Sequence, residues 1–234
     1  MKPLISESQD REALIALGRA SVQIVHDLKN HLNGLKLYAT FLRKRMEKTG
    51  RPEDELETVN KLIAGLDRTA KDVSMIGQIG RPIELKRQHG VDLEKILQDV
   101  TATLNAESLS GQQSVTGSLS RAVVLEVDSA PLIGHFDPFS LADALKAVSL
   151  GAMKMLNNQP KEAALEIGLK SEDGRGGRIG VIEWRVLNSI DHDPFHSFAG
   201  SDEVRLSLAA RVIEAHGGSA GNEATALCVR LPLN

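Results

Sequence analysis

The sequence predicts an α+β protein: an N-terminal antiparallel helical hairpin that joins a second copy in a four-helix bundle, followed by an α/β sandwich. Three observations predict it. In the first third, apolar residues recur at alternating spacings of three and four. Beyond Pro82 the pattern becomes short apolar runs interleaved with helical stretches. Between the two lies the punctuation Gly80-Arg81-Pro82. The expected domains are residues 1–80 and 81–234, within the range that 234 residues allow.

The first helix is expected from about Asp10 to Lys48, with a seam of Val25, Leu28, Leu32, Leu35, Ala39, Leu42 and Met46. Gly50 and Pro52 stop it, because glycine supplies a left-handed cap and proline cannot continue the ladder. Glu53-Asp54-Glu55 suits the positive end of a second helix dipole. That helix carries Leu56, Val59, Ile63, Leu66, Ala70 and Val73, and is expected to end at Gly77, Gly80 and Pro82. A lone hairpin would expose half of this apolar surface, so a homodimer is expected. Next come a short strand at Ile83 to Lys86, a helix from Val91 to Leu104 and a mobile loop from Asn105 to Ser120. Strands are expected at Val123–Val127 and Leu132–Phe136, then a helix opened by Pro138 and running to Leu156. Two strands, Ala164–Lys170 and Ile179–Leu187, flank the glycine-rich Asp173–Gly177 turn. A helix from Asp202 to Ala215 is capped at His216-Gly217-Gly218, and Ala226–Leu231 closes the chain as a strand.

Composition excludes several classes of function. The net charge of −3 argues against a general nucleic-acid binder. Five Phe, one Trp and one Tyr leave little for base-stacking platforms. The single Cys228 excludes an internal disulfide and a cysteine-rich metal site. No apolar run reaches the roughly 20 residues of a membrane span, and the start lacks a signal-peptide core. The expectation is a cytoplasmic protein with no membrane segment. Residues 1–82 carry a balance of +3 and the remainder −6, so the hairpin is the part suited to an acidic partner.

The residues that could carry chemistry centre on His26-Asp27-Leu28-Lys29-Asn30. His26 follows the seam residue Val25 and should point from the bundle flank into solvent, where a neutral imidazole is nucleophilic. Asp27 could polarise the ring N–H and raise the basicity of the other nitrogen. Asn30 is one helical turn on, on the same face. Without further context, a surface histidine on a charged helix is the simpler reading.

This pentapeptide resembles the H-box of sensor histidine kinases: histidine, acid, aliphatic, basic, asparagine. The surrounding hairpin resembles their dimerisation and histidine-phosphotransfer domain. The rest of the chain is ordered like their ATP-binding domain of the GHKL (Bergerat) type. Val91-Asp92-Leu93, Asp137 before the Pro138 helix, and Glu214-Ala215-His216-Gly217-Gly218 followed by a strand ending Leu231-Pro232 all fall in family order. The resemblance implies that His26 accepts the phosphoryl group, that Asp27 assists transfer and that Asn30 positions hydrolytic water. It also implies a response-regulator receiver domain as partner. His31 stands where relatives usually have proline, so the helix should run straighter here.

The nucleotide positions depart further. Ala147 and Gly151 stand where the family has asparagines that hold magnesium and phosphates. Asn188-Ser189-Ile190-Asp191-His192-Asp193 replaces an Asp-x-Gly-x-Gly, and Glu203-Val204-Arg205-Leu206-Ser207 replaces a second glycine box. Three losses at ATP-contacting positions imply a degenerate site with no cofactor and no metal. Asp191, His192, Asp193 and His196 read as a polar loop before a metal cluster. The expectation is a histidine phosphotransferase of a phosphorelay, carrying phosphoryl on His26 between receiver aspartates without ATP. The alternatives are a divergent ATP-dependent kinase and a non-catalytic module that sequesters a response regulator.

Overall fold

In a computed structural model, residues 7–79, 81–109, 121–127, 131–156, 164–174, 177–186, 193–197 and 200–233 are described. The chain separates into two compact units that divide between Pro82 and Ile83.

In the first unit, α1 (Glu7–Lys48) and α2 (Glu53–Ile79) form the hairpin. α1 runs unbroken through His31, which is exposed. Gly50 takes φ +61°, its N–H and those of Thr49 and Arg51 return to the last carbonyls of α1, and Pro52 O accepts from Leu56 N to start α2. The α1 seam splits into two sets. Val25, Leu32 and Met46 are half-buried and Ala39 is 6% exposed, so alternate positions face α2. Leu28, Leu35 and Leu42 remain 46%, 53% and 48% exposed. On α2, Val59 is buried and Leu56, Ile63, Leu66, Ala70 and Val73 are half-buried. The Lys36 ammonium lies 2.5 Å from the Asp67 carboxylate across the hairpin. Gly77 lies within α2, and a Cβ there would stand 3.0 Å from Val25 Cγ1, so this glycine permits close approach rather than ending the helix.

The second unit is a helix layer on one mixed sheet. β1 (Gln88–Asp92) pairs antiparallel with β3 (Ile133–Phe136) as a small separate ribbon. β2 (Val123–Val127), β4 (Leu165–Gly174), β5 (Gly177–Arg185), β7 (Ala226–Pro232) and β6 (Ser219–Glu223) form the five-stranded sheet, in that spatial order. β2 and β4 are parallel, and the other neighbours are antiparallel. Alternate residues of β4, among them Leu165, Ile167 and Leu169, are fully buried with Trp184, Leu227 and Val229. They pack against α3 (Leu93–Leu109), α4 (Pro138–Met155) and α5 (Ser201–Ala215). The Trp184 indole N–H is satisfied in that core by Ser149 Oγ at 2.9 Å.

Three local expectations are corrected. Ile83–Lys86 forms no strand; the strand begins at Gln88, where the short partner β3 ends at Phe136, and Lys86 N–H donates instead to Asp137 Oδ2 at 2.9 Å. The expected loop from Asn105 starts as helix: α3 continues to Leu109, and the Asn105 amide clips Val123 by accepting from its N–H at 2.9 Å and donating to its carbonyl at 3.1 Å. Residues 110–120 lie outside the described residues. β6 was not expected at all; its Ser-Ala-Gly-Asn-Glu sequence has no apolar alternation because it is an edge strand, half-exposed and held by backbone pairing to β7.

Candidate functional site

His26 is placed by α1 on the flank away from the half-buried seam positions, with its side chain 63% exposed. Its Nδ1 is 3.4 Å from Asp27 Oδ1 and 3.3 Å from Asn30 Nδ2. Asp27 Oδ1 also accepts from Gln23 Nε2 at 3.0 Å. Asp27 and Asn30 therefore converge on one edge of the imidazole, with Gln23 behind Asp27. The two contacts at Nδ1 ask for different tautomers: Asp27 accepts only if Nδ1 carries the proton, whereas an amide N–H needs a lone pair there. Turning the Asn30 amide so that its oxygen faces the ring reconciles them. In that arrangement Nδ1–H is held by two acceptors, and the lone pair resides on Nε2, which has no partner among the described residues. Such a ring is a nucleophile at Nε2, with a carboxylate beside it to stabilise an imidazolium. Gln23, which orients Asp27, was not singled out from the sequence; the i,i+4 spacing of Gln and Asp was the signal available.

In the second unit, Asp137 caps α4: Oδ1 accepts from the N–H groups of Phe139 and Ser140, both at 3.1 Å, and Oδ2 from Ser140 Oγ at 2.9 Å. Burial alone would raise its carboxyl, but the hydrogen bonds from Lys86, Ser140 and Phe139 outweigh it and hold the pKa below the usual value. The backbone N–H of Asp137 donates to His216 Nε2 at 3.0 Å, and His216 Nδ1 lies 2.8 Å from Val212 O. His216 is 2% exposed, and its burial lowers its pKa, so a neutral ring with the proton on Nδ1 ties the start of α4 to the end of α5. His216 is thus more than the helix cap read from the sequence. His89 and His135 stack across β1 and β3 with centroids 4.0 Å apart, a pairing the sequence did not disclose.

Ala147 is half-buried on α4, and Gly151, one turn later, is buried. Lys154 on the same helix is 2.5 Å from both carboxylate oxygens of Asp202, in the first turn of α5. Glu203, in the same turn, accepts from Ser197 Oγ. This donor set does not fit a magnesium–nucleotide complex. Among the described residues Ala147 and Gly151 carry no side-chain ligand oxygen, Lys154 is engaged by Asp202, and the first turn of α5 presents two carboxylates. The expected Asn188–His192 segment lies outside the described residues. His196 Nδ1 is 2.7 Å from Asp193 Oδ2, and its Nε2 is 3.7 Å from Glu214 Oε1. The hydrogen bond to Asp193 raises its pKa. Among the described residues no group of three His, Cys, Asp or Glu could hold a metal ion, and no helix is long and apolar enough to cross a membrane.

No family model matches the chain. Among curated proteins it is similar to the sensor histidine kinase ZraS of Klebsiella oxytoca, with 25% identity over 227 residues, covering 93% of this chain and 45% of that protein. The chain thus spans less than half the length of the curated relatives it matches. Among solved structures, full-length ShkA in complex with AMPPNP has a TM-score of 0.66 at 18% identity, covering 92% of this chain and 46% of its own. Histidine kinase ThkA in complex with the response regulator TrrA has a TM-score of 0.59 at 18% identity, over 97% of this chain and 65% of its own. Along nearly its whole length the chain is thus similar to sensor histidine kinases, and its helical hairpin followed by an α/β domain has the fold of the solved histidine kinases.

Proposed function

We propose that the chain works in two-component signalling as a histidine phosphotransferase, relaying a phosphoryl group on His26 between receiver aspartates without using ATP. The observation that carries this reading is the His26 ring, exposed on α1 with Nδ1 engaged by Asp27 and Asn30 and Nε2 open. In the forward step the Nε2 lone pair attacks phosphorus of an aspartyl phosphate. The N–P bond forms as the acyl P–O bond breaks, and the aspartate leaves as a carboxylate. The ring becomes a phosphorylated imidazolium with its Nδ1 proton retained, and the Asp27 carboxylate stabilises that charge. Transfer to a second receiver aspartate reverses the bonds. Positioning supplies most of the rate.

ThkA, solved with the response regulator TrrA, supports a receiver domain as partner. The exposed Leu28, Leu35 and Leu42 support a homodimer, and a cytoplasmic location belongs to the same reading. The names of the relatives, and ShkA solved with AMPPNP, favour the ATP-dependent kinase as a second reading; the donor set around Ala147, Gly151 and Lys154 weighs against it. Calorimetry with magnesium and ATP or ADP, alongside phosphoryl transfer from a phosphorylated receiver domain, separates the two. The expected result is no nucleotide heat and transfer that His26→Ala abolishes. Saturable nucleotide binding with labelling of His26 from ATP would establish the kinase instead, and receiver binding without transfer would leave only sequestration.

A further inference from the structure

Besides the His216 link, two contacts join the last turns of α4 to the first turns of α5. The Lys154 ammonium is 2.5 Å from both oxygens of Asp202, and Arg205 Nη1 lies 3.8 Å from Asp202 Oδ1. Three residues before Lys154, Leu206 fills the space beside Gly151. A Cβ at Gly151 would stand 2.9 Å from Leu206 Cδ2, and 3.1 and 3.2 Å from two further carbons of the same side chain. Leu206 is 1% exposed, so this plug belongs to the core.

A lysine facing a helix N-terminus across a helix–helix contact draws an anion. Here the chain supplies one. Asp202 sits in the first turn of α5, where the helix dipole favours a carboxylate, and Glu203 adds a second negative charge beside it. We propose that Asp202 is a built-in ligand at the α4–α5 contact: its carboxylate occupies Lys154 in place of a phosphate-bearing molecule and, with Leu206 against Gly151, holds the two helices together. The inference rests on the ATP-independent reading and deepens it. In this chain the order of α5 comes from an internal ion pair and an apolar plug, and the joined face is a constant surface whatever the nucleotide level.

The test follows thermal unfolding of the full chain through the fluorescence of Trp184, its single tryptophan, which is buried in this unit. Wild type, Asp202→Asn, Lys154→Met and the double variant are compared with and without millimolar magnesium–ATP. Each single variant should lower the midpoint by about 2–5 °C. The double variant should lose no more than either single one, because both remove the same contact. Magnesium–ATP should leave the wild-type midpoint where it is. Additive losses, or single variants with unchanged midpoints, overturn the lock while leaving the ATP-independent reading in place. A wild-type midpoint raised by magnesium–ATP overturns that reading and, with it, the exclusion of a phosphate-bearing molecule from Lys154. If Lys154→Met does not fold, Lys154→Gln completes the same cycle.

Discussion

Around His26 the decisive quantity is which ring nitrogen holds the proton. Asp27 lies 3.4 Å from Nδ1, and Gln23 holds Asp27 from one turn earlier. Replacing Asp27 with Ala should slow phosphoryl transfer by roughly 100-fold, in the range of a lost acid–base partner. Gln23→Ala should give a smaller loss in the same direction, since it acts only through the carboxylate. Single-turnover transfer from a phosphorylated receiver domain measures both; equal rates for Asp27→Ala and wild type would remove Asp27 from the mechanism. His216 supports a second prediction at this scale. Its folded pKa lies below the ordinary 6.5 because burial disfavours the imidazolium. The unfolded chain therefore takes up the proton first as pH falls. Stability from this residue is complete above 6.5 and is lost as pH drops through the depressed folded value. His196 has the opposite sign: its pKa is raised, so its contribution is full below 6.5 and is lost as pH rises through the raised value. At 60% exposure its contribution is small. The midpoint of wild type should thus fall on acidification below pH 6.5 more steeply than that of His216→Gln, read through Trp184. Parallel curves would show that the ring is not the titrating group.

At the scale of elements, the hairpin shows how one seam divides between two partners. Val25, Leu32, Ala39 and Met46 turn toward α2, whereas Leu28, Leu35 and Leu42 stay about half-exposed. Each buried leucine is worth about 1.5–3 kcal/mol, and a symmetric dimer counts it twice. Leu35→Glu should therefore shift the protein to monomer, with a dissociation constant at least ~100-fold higher. Sedimentation velocity checks it, and an unchanged dimer would mean that another face pairs. In the second unit the elements most legible in the sequence were those with a period and a cap, α4 with its Asp137–Pro138 start above all. Those least legible were set by a neighbour. β6 exists because β7 offers its edge, and Ile83–Lys86 fails as a strand because β3 is only four residues long. The last residues of α3 read as loop because they are polar, yet Asn105 is fixed by the backbone of Val123.

At the scale of the whole molecule the two units differ in how much they bury. Among the described residues of the hairpin, Ala39 and Val59 are the buried apolar side chains, while the α/β unit encloses a continuous core around Trp184. The hairpin's stability should consequently depend on self-association. Its helical unfolding midpoint should rise with protein concentration, whereas the Trp184 transition should not. Circular dichroism and fluorescence at two concentrations 100-fold apart, ~1 and ~100 μM, measure both; a helical signal independent of concentration would refute the argument.

The sequence by itself determined the hairpin, the helix-on-sheet order of the second unit and the grouping of His26, Asp27 and Asn30 on one helix face. All of these follow from local periodicity, caps and i,i+4 spacing. It also showed that Ala147 and Gly151 carry no side-chain oxygen, at positions where the resemblance to sensor histidine kinases implies asparagines. Only the tertiary structure decided which groups far apart in the chain meet. Asp202 lies 48 residues from Lys154 and His216 lies 79 from Asp137, and no local pattern relates such residues. Those contacts arise where α4 and α5 come together on the sheet. There a half-buried lysine is met by an anion and a buried backbone N–H by an acceptor, and the fold brings each to its partner.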